Sequence, residues 1–339
     1  MTKTFKLIFS SILIISTLIS ISSYSWFGMW MGLEINLLAI IPILQMNNNY
    51  LSAESSIKYF IVQAVASTMI LMSIIISSFK SKILFNELTL SSSILMMNLS
   101  LLTKMGMAPF HFWFPEVLEG LSWMNCILIL TWQKLAPMVL LMYNMEFSKS
   151  IIIIIIVGVI ISGVMSFNQI SIRKLMAYSS INHMSWMISS MLVLKTIWMI
   201  YFLIYSIMTL NILLILNYYK IYFLNQLFQT MNNFTSMKFF FILNFMSLSG
   251  IPPFIGFLPK WLTIQMLINE KMYFLTLIMI IFTLVMIFIY MRISVSSLMM
   301  SINENSWKTN IFNKSMSMMT MNFILISSLI LVTLSFNLN

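Results

Sequence analysis

Apolar residues run along this chain in blocks of about 20, the length of helix that crosses the hydrocarbon of a bilayer. Short polar stretches part them, such as Asn47-Asn48-Asn49 and the segment Asn225 to Asn233. The pattern predicts spans at 5–24, 26–46, 56–79, 88–119, 122–143, 149–167, 172–194, 196–222, 237–270, 272–299 and 318–336, about 11 in all. The connections are too short to form an extramembrane domain. Spans 88–119 and 237–270 are too long for one straight crossing, and both carry Gly and Pro midway.

These two long spans match each other. Gly106, Pro109, Phe110 and Pro115 stand opposite Gly250, Pro253, Phe254 and Pro259 at one offset of 144 residues, with Pro252 beside the second proline. The chain holds only 8 Gly and 7 Pro, so four such matches at one offset indicate an internal repeat. Five spans separate the copies, and an odd number inverts the second in the membrane. Inverted repeats with interrupted helices in corresponding places are characteristic of transporters and point at the ion path. Glycine loosens a helix and proline removes a backbone donor, so the freed carbonyls need protein or water, which lipid does not offer. The expected fold is an all-α polytopic membrane protein. Its parts are a five-helix bundle over 1–147 broken near 106–109, an inverted bundle over 148–300 broken near 250–253, and a C-terminal loop and last helix over 301–339. For either break alone, a simple kink is the plainer reading.

Composition supports lipid as the solvent. Hydrophobic residues make up 60% of the 339, charged residues 8%, and mean hydropathy is +0.97, whereas a soluble domain carries about 25% charged residues. The net charge of +10 is scattered singly between apolar spans and forms no patch, which argues against nucleic acid as a partner. The 35 methionines, the abundance of Ile, Asn, Lys and Phe, and the absence of Asp suggest an AT-rich mitochondrial gene. The sole cysteine, Cys126, excludes a disulfide framework. Met1 to Lys6 leads directly into a span, without the character of a transit peptide, as expected of a protein made inside the organelle.

Lysine and arginine placement sets the orientation. With the N-terminus on the matrix side, that side holds Lys3, Lys6, Lys58, Arg173, Lys174, Lys220, Lys238, Arg292, Lys308 and Lys314, against Lys80, Lys82, Lys149, Lys195 and Lys271 opposite. The C-terminus then faces the intermembrane space.

The remaining basic residues fall inside the spans: Lys104 before the first break, Lys134 mid-span, and Lys260 after the second break. Glu34 lies in the second span between Gly32 and Asn36. Each such charge at the bilayer centre costs roughly 2.5–3.5 kcal/mol on the insertion scale. Unless paired or hydrated, four of them would rival a typical folding stability. Burial disfavours the charged form of such a group and an opposite charge favours it, so a lysine alternately near Glu34 and released from it can load and eject a proton. The plainer reading is a static salt bridge that fixes helix register, or a snorkelling lysine in the case of Lys260. His111, after the first break, and His183 could relay protons, or could be hydrogen-bonded packing residues. Glu116 and Glu119 read as charges at a matrix-side helix end. The sequence holds no recognisable metal-ligand cluster, phosphate loop, dinucleotide fingerprint or nucleophile constellation.

The stretches Trp30 to Asn36, Lys104 to Glu116, Thr131 to Pro137 and Gly250 to Trp261 resemble the antiporter-like membrane subunits of mitochondrial NADH:ubiquinone oxidoreductase, respiratory complex I, most of all the insect form. The similarity covers almost the whole chain and weakens over 301–339. It implies two inverted five-helix bundles with broken helices, with three N-terminal helices lost in animals. It implies that Glu34, Lys104, Lys134 and Lys260 carry proton translocation coupled to electron transfer from NADH to ubiquinone. It also implies that this chain holds no cofactor, with NADH, FMN, iron–sulfur clusters and ubiquinone bound by other subunits. The implied partners are other membrane-arm subunits and inner-membrane lipids such as cardiolipin. A multisubunit cation/proton antiporter, or an assembly scaffold with fossil charges, shares these features and stays open on sequence.

Overall fold

The computed structural model describes residues 3–45, 49–80, 87–145, 149–233 and 235–299. The expected span 318–336, the segment 301–339, Asn47-Asn48, and Lys82, Lys308 and Lys314 lie outside the described residues. The regular structure of the described residues is all helical, with no strand and one isolated β-bridge, between Ser171 and Phe223. Contacts divide the chain into two compact units, Met1–Ser148 and Lys149–Asn339.

The first unit holds α1 (Lys3–Ser22), α2 (Trp26–Leu44), α3 (Tyr50–Lys80), α4 (Glu87–Met105), α5 (Trp113–Gly120), α6 (Trp123–Ile127) and α7 (Gln133–Tyr143). Between α6 and α7 the helix widens into one π-helical turn, Leu128–Trp132. Helix α1 lies along α2, and Gly32 makes that approach possible, because a Cβ there would stand 2.7 Å from the Ser20 backbone nitrogen. Asn125 donates to the carbonyls of Ile43 and Leu44 at 3.3 Å, satisfying groups that the end of α2 leaves open. Lys58 on α3 bridges Glu54 (3.1 Å) and Glu116 (3.0 Å), tying α3 to α5.

The second unit holds α8 (Lys149–Ser166), α9 (Ile172–Val193), α10 (Lys195–Tyr219), α11 (Leu224–Asn233), α12 (Thr235–Ser249), α13 (Phe257–Asn269) and α14 (Tyr273–Met299). Helix α9 is buried on all sides from Leu175 to Leu192, enclosed by α8, α10, α13 and α14. It can therefore be polar. Its serines 179, 180, 185, 189 and 190 return their hydroxyls to carbonyls one turn back, and their small size permits close packing of neighbouring helices.

Seven helices among the described residues are long and apolar enough to cross a membrane: α1, α2, α3, the run Trp123–Tyr143, α8, α10 and α14. Expected spans 88–119 and 237–270 are each a helix, a non-helical break and a second helix. The segment from Asn225 to Asn233 departs from expectation. It was expected as a polar connection and is helix α11. Its Leu224, Leu227 and Phe228 fall on one helical face, and Gln226 accepts from the backbone N–H groups of Tyr222 (2.9 Å) and Phe223 (3.3 Å), closing the helix start.

Candidate functional site

The first break runs from Gly106 to Phe112, between α4 and α5, and the second from Gly250 to Gly256, between α12 and α13. Both begin alike. Gly106 has φ +73° and Gly250 has φ +81°, a left-handed backbone that an L side chain strains. The N–H of Gly106 bonds to Thr103 O at 3.1 Å and that of Met107 to Leu102 O at 3.0 Å. Gly250 bonds to Ser247 O at 3.0 Å and Ile251 to Met246 O at 3.4 Å. Each helix thus ends in a left-handed cap that satisfies its last carbonyls. Pro109, Pro252 and Pro253 lie in the turns that follow, and all three are exposed.

Lys104 stands in the last turn of α4 and is buried, with 7% exposure. Its backbone carbonyl accepts from Gln63 Nε2 at 3.0 Å. Beside it is a cavity of about 20 Å³, lined by Asn36, Tyr59, Gln63, Lys104 and Gln133 together with apolar groups. That is room for one water molecule, with enough polar groups to bind it. Gln133 Nε2 donates to Asn36 Oδ1 at 2.9 Å across this space. Glu34 lies within electrostatic reach of Lys104 but makes no ion pair with it. One Glu34 carboxylate oxygen is buried without a hydrogen-bond partner. The salt bridge that sequence allowed is therefore absent from this state, and the two charges act on each other at a distance.

Lys134 follows the π-helical turn and is 1% exposed. A π-turn displaces the residues after it and leaves carbonyls unbonded, which is why such turns gather at functional positions. Pro137, inside α7, withholds a further donor from the same stretch. The Lys134 ammonium lies over the Phe114 ring, 5.3 Å from its centroid. Gly106 also lies against this ring: a Cβ there would come within 2.9 Å of it. Phe114 therefore links the break to Lys134. His111 lies in the same break, its Nδ1 3.3 Å from Pro109 O and its ring 4.4 Å from that of Phe112.

In the second unit, Lys260 projects from α13 back onto the end of α12. It is 6% exposed and donates from Nζ to Ser249 O at 2.6 Å. A cation is favoured at the negative end of a helix dipole. Gly250 leaves the space for the side chain, since a Cβ there would lie 2.8 Å from Lys260 Cδ. Asn211 on α10 donates to Asn244 on α12 at 3.1 Å, holding α12 less than two turns before the break. His183 is buried on α9, with Nδ1 3.0 Å from the Tyr201 hydroxyl and its ring 5.1 Å from that of Tyr205. Tyr205 turns its hydroxyl to Ser180, and the buried Tyr290 hydroxyl on α14 finds no hydrogen-bond partner among the described residues.

The first unit thus gathers Lys104, Lys134, His111 and the edge of Glu34 around one break, and the second places Lys260 on the other. Sequence reasoning passed over Asn36, Gln63 and Gln133, and also Tyr201, Tyr205 and Tyr290. The available signal was the amide or hydroxyl inside an apolar span, where each polar group needs a buried partner.

A model of the transmembrane family described as NADH:quinone oxidoreductase/Mrp antiporter matches residues 23–286. The chain is 46% identical over 309 residues to NADH-ubiquinone oxidoreductase chain 2 of Locusta migratoria, covering 91% of this chain and 90% of that one. It is 45% identical over 341 residues to the protein of the same name from Anopheles gambiae, covering 98% of each. Among solved structures it is similar to a chain of respiratory complex I from Thermus thermophilus with bound aureothin, at TM-score 0.80 and 18% identity, over 93% of this chain and 75% of that chain. At that identity the likeness speaks for the fold.

Proposed function

The chain belongs to the NADH:quinone oxidoreductase/Mrp antiporter transmembrane family, and from that premise we infer that it is a core membrane subunit of mitochondrial NADH–ubiquinone oxidoreductase, respiratory complex I. It takes part in proton translocation coupled to electron transfer from NADH to ubiquinone. It is a multi-pass protein of the inner membrane, and its partners are the other membrane subunits of the complex. In this reading the N-terminus lies on the matrix side, and the two five-helix bundles, 1–147 and 148–300, are inverted copies. Flavin, iron–sulfur clusters and quinone are held by other subunits.

The observation that carries the reading is the burial of three lysines, Lys104, Lys134 and Lys260, each beside an interruption of its helix. A lysine costs about 2.5–3.5 kcal/mol at the bilayer centre, and no packing requirement explains three of them at such points. An interruption supplies carbonyls and space for water, which lets a buried amine exchange its proton. Burial disfavours the ammonium and a carboxylate nearby favours it. Movement of Lys104 toward or away from Glu34 therefore changes its proton occupancy. In this reading Glu34, Lys104 and Lys134 in the first unit and Lys260 in the second take part in proton translocation, with His111 and His183 as relays.

The test is Lys134→Met in the native complex. The expected result is normal assembly with NADH-driven proton transfer reduced at least tenfold. Normal assembly with normal proton transfer per NADH would remove the transport role and leave a scaffold. Recovery of the chain in a membrane complex that oxidises no NADH would favour a cation/proton antiporter instead.

A further inference from the structure

The second unit contains a feature that the proton path does not use. Where the end of α8, the start of α9, α11 and α14 meet, they leave a cavity of about 510 Å³. Its lining is two-sided. Phe167, Phe228 and Ile293 present apolar surface, while Asn168, Ser296 and Arg292 present polar groups.

The depth of the cavity follows from the elements. Helix α8 ends at Ser166 and α9 begins at Ile172, so the turn between them lies where the chain leaves the hydrocarbon. Helix α11 runs beside it with a polar face and an apolar edge, the pattern of a helix lying in the headgroup layer. A cavity at this level meets lipid headgroups.

The charge is one-sided. None of the lining residues is acidic, and Arg292 makes no ion pair among the described residues. Arg173 and Lys174 open α9 next to it, Arg173 over the Tyr222 ring at 4.7 Å. Glu270 is the acidic residue among the described residues of this unit, and it stands at the far end of α14. At 1.5 Å per residue, Arg292 is roughly 28 Å along that helix from Tyr273. Among the described residues of this unit, then, no acidic side chain stands near the Arg292 guanidinium where it lines the cavity. A fork of N–H donors suits a phosphate, and basic pockets between membrane helices at this depth suit anionic headgroups. A free anion would leave the apolar wall unused, and a zwitterionic lipid would bring its own cation.

We propose that this cavity binds an anionic phospholipid, with Arg292 taking the phosphodiester and Phe167 and Phe228 flanking an acyl chain. The probes are photoactivatable analogues of one anionic and one zwitterionic phospholipid with identical acyl chains, added to the purified native complex, with labelled peptides mapped in this chain. The anionic probe labels 166–170, 224–228 and 289–296 several-fold more than the zwitterionic one. Arg292→Gln lowers that labelling about fivefold, the worth of one interfacial cation, while labelling elsewhere in the complex is unchanged. Equal labelling by the two probes, no labelling of these segments, or unchanged labelling in Arg292→Gln each overturns the site. Displacement by millimolar inorganic phosphate makes it a free-anion site and overturns the lipid. If Arg292→Gln does not assemble, the comparison of the two probes on the unaltered complex decides.

Discussion

The Lys260 ammonium donates 2.6 Å to the carbonyl of Ser249, eleven residues earlier and across the break that parts α12 from α13. This side chain thus caps a broken helix, and the proposed function also gives it a proton-carrying role at the break. The two roles separate in Lys260→Met, which keeps the stem and removes the charge. A buried acceptor left without its donor costs about 1–3 kcal/mol, so the thermal midpoint of the complex falls. If proton transfer per NADH also falls at least tenfold, Lys260 is part of the path. A lower midpoint with unchanged proton transfer makes it a cap alone.

Alanine at the two break glycines gives different outcomes. Both positions carry a left-handed backbone, which costs an L residue roughly 1–2 kcal/mol. At Gly106 the added Cβ meets the stiff Phe114 ring at 2.9 Å, so Gly106→Ala lowers the yield of assembled complex on native gels. At Gly250 it meets the flexible Lys260 stem at 2.8 Å, which can swing aside. Gly250→Ala therefore assembles better than Gly106→Ala and loses more proton transfer per assembled complex. Gly163→Ala, inside α8 with its nearest neighbour at 3.3 Å, serves as the near-neutral control.

The breaks were legible because Gly and Pro are rare in this chain and recur at one offset. The charges were legible because lipid makes each one conspicuous. Helix α11 was hidden, since a run of Asn and Gln reads as a loop unless the spacing of Leu224, Leu227 and Phe228 is followed. The π-turn at 128–132 leaves no trace in composition, because Leu, Ile, Thr and Trp suit any apolar helix. The direct Glu34–Lys104 contact was a fair expectation, but sequence fixes charge and not distance. The tyrosines beside His183, Tyr201 and Tyr205, come from α10, and only packing brings them to α9.

Gln133 tests whether the small cavity matters. Gln133→Leu removes the 2.9 Å bond to Asn36 and replaces a polar wall of the Lys104 cavity with an apolar one. Leaving the buried Asn36 oxygen without its donor costs about 1–3 kcal/mol, which by itself does not prevent assembly. Proton transfer falls several-fold because Lys104 loses its hydrated neighbour. A variant that pumps normally would show that protons reach Lys104 by another side.

Phe114 tests how the first break communicates with Lys134. The ring lies against Gly106 and carries the Lys134 ammonium 5.3 Å from its centroid. A cation over an aromatic face gains about 0.5–2 kcal/mol, the more the deeper it is buried, and Lys134 is 1% exposed. Phe114→Leu keeps most of the apolar volume and removes that attraction. Phe114→Tyr keeps the ring. If the contact governs where the ammonium rests, the leucine variant assembles but loses proton transfer, while the tyrosine variant retains it. If the ring only fills space, the leucine variant retains proton transfer as the native chain does.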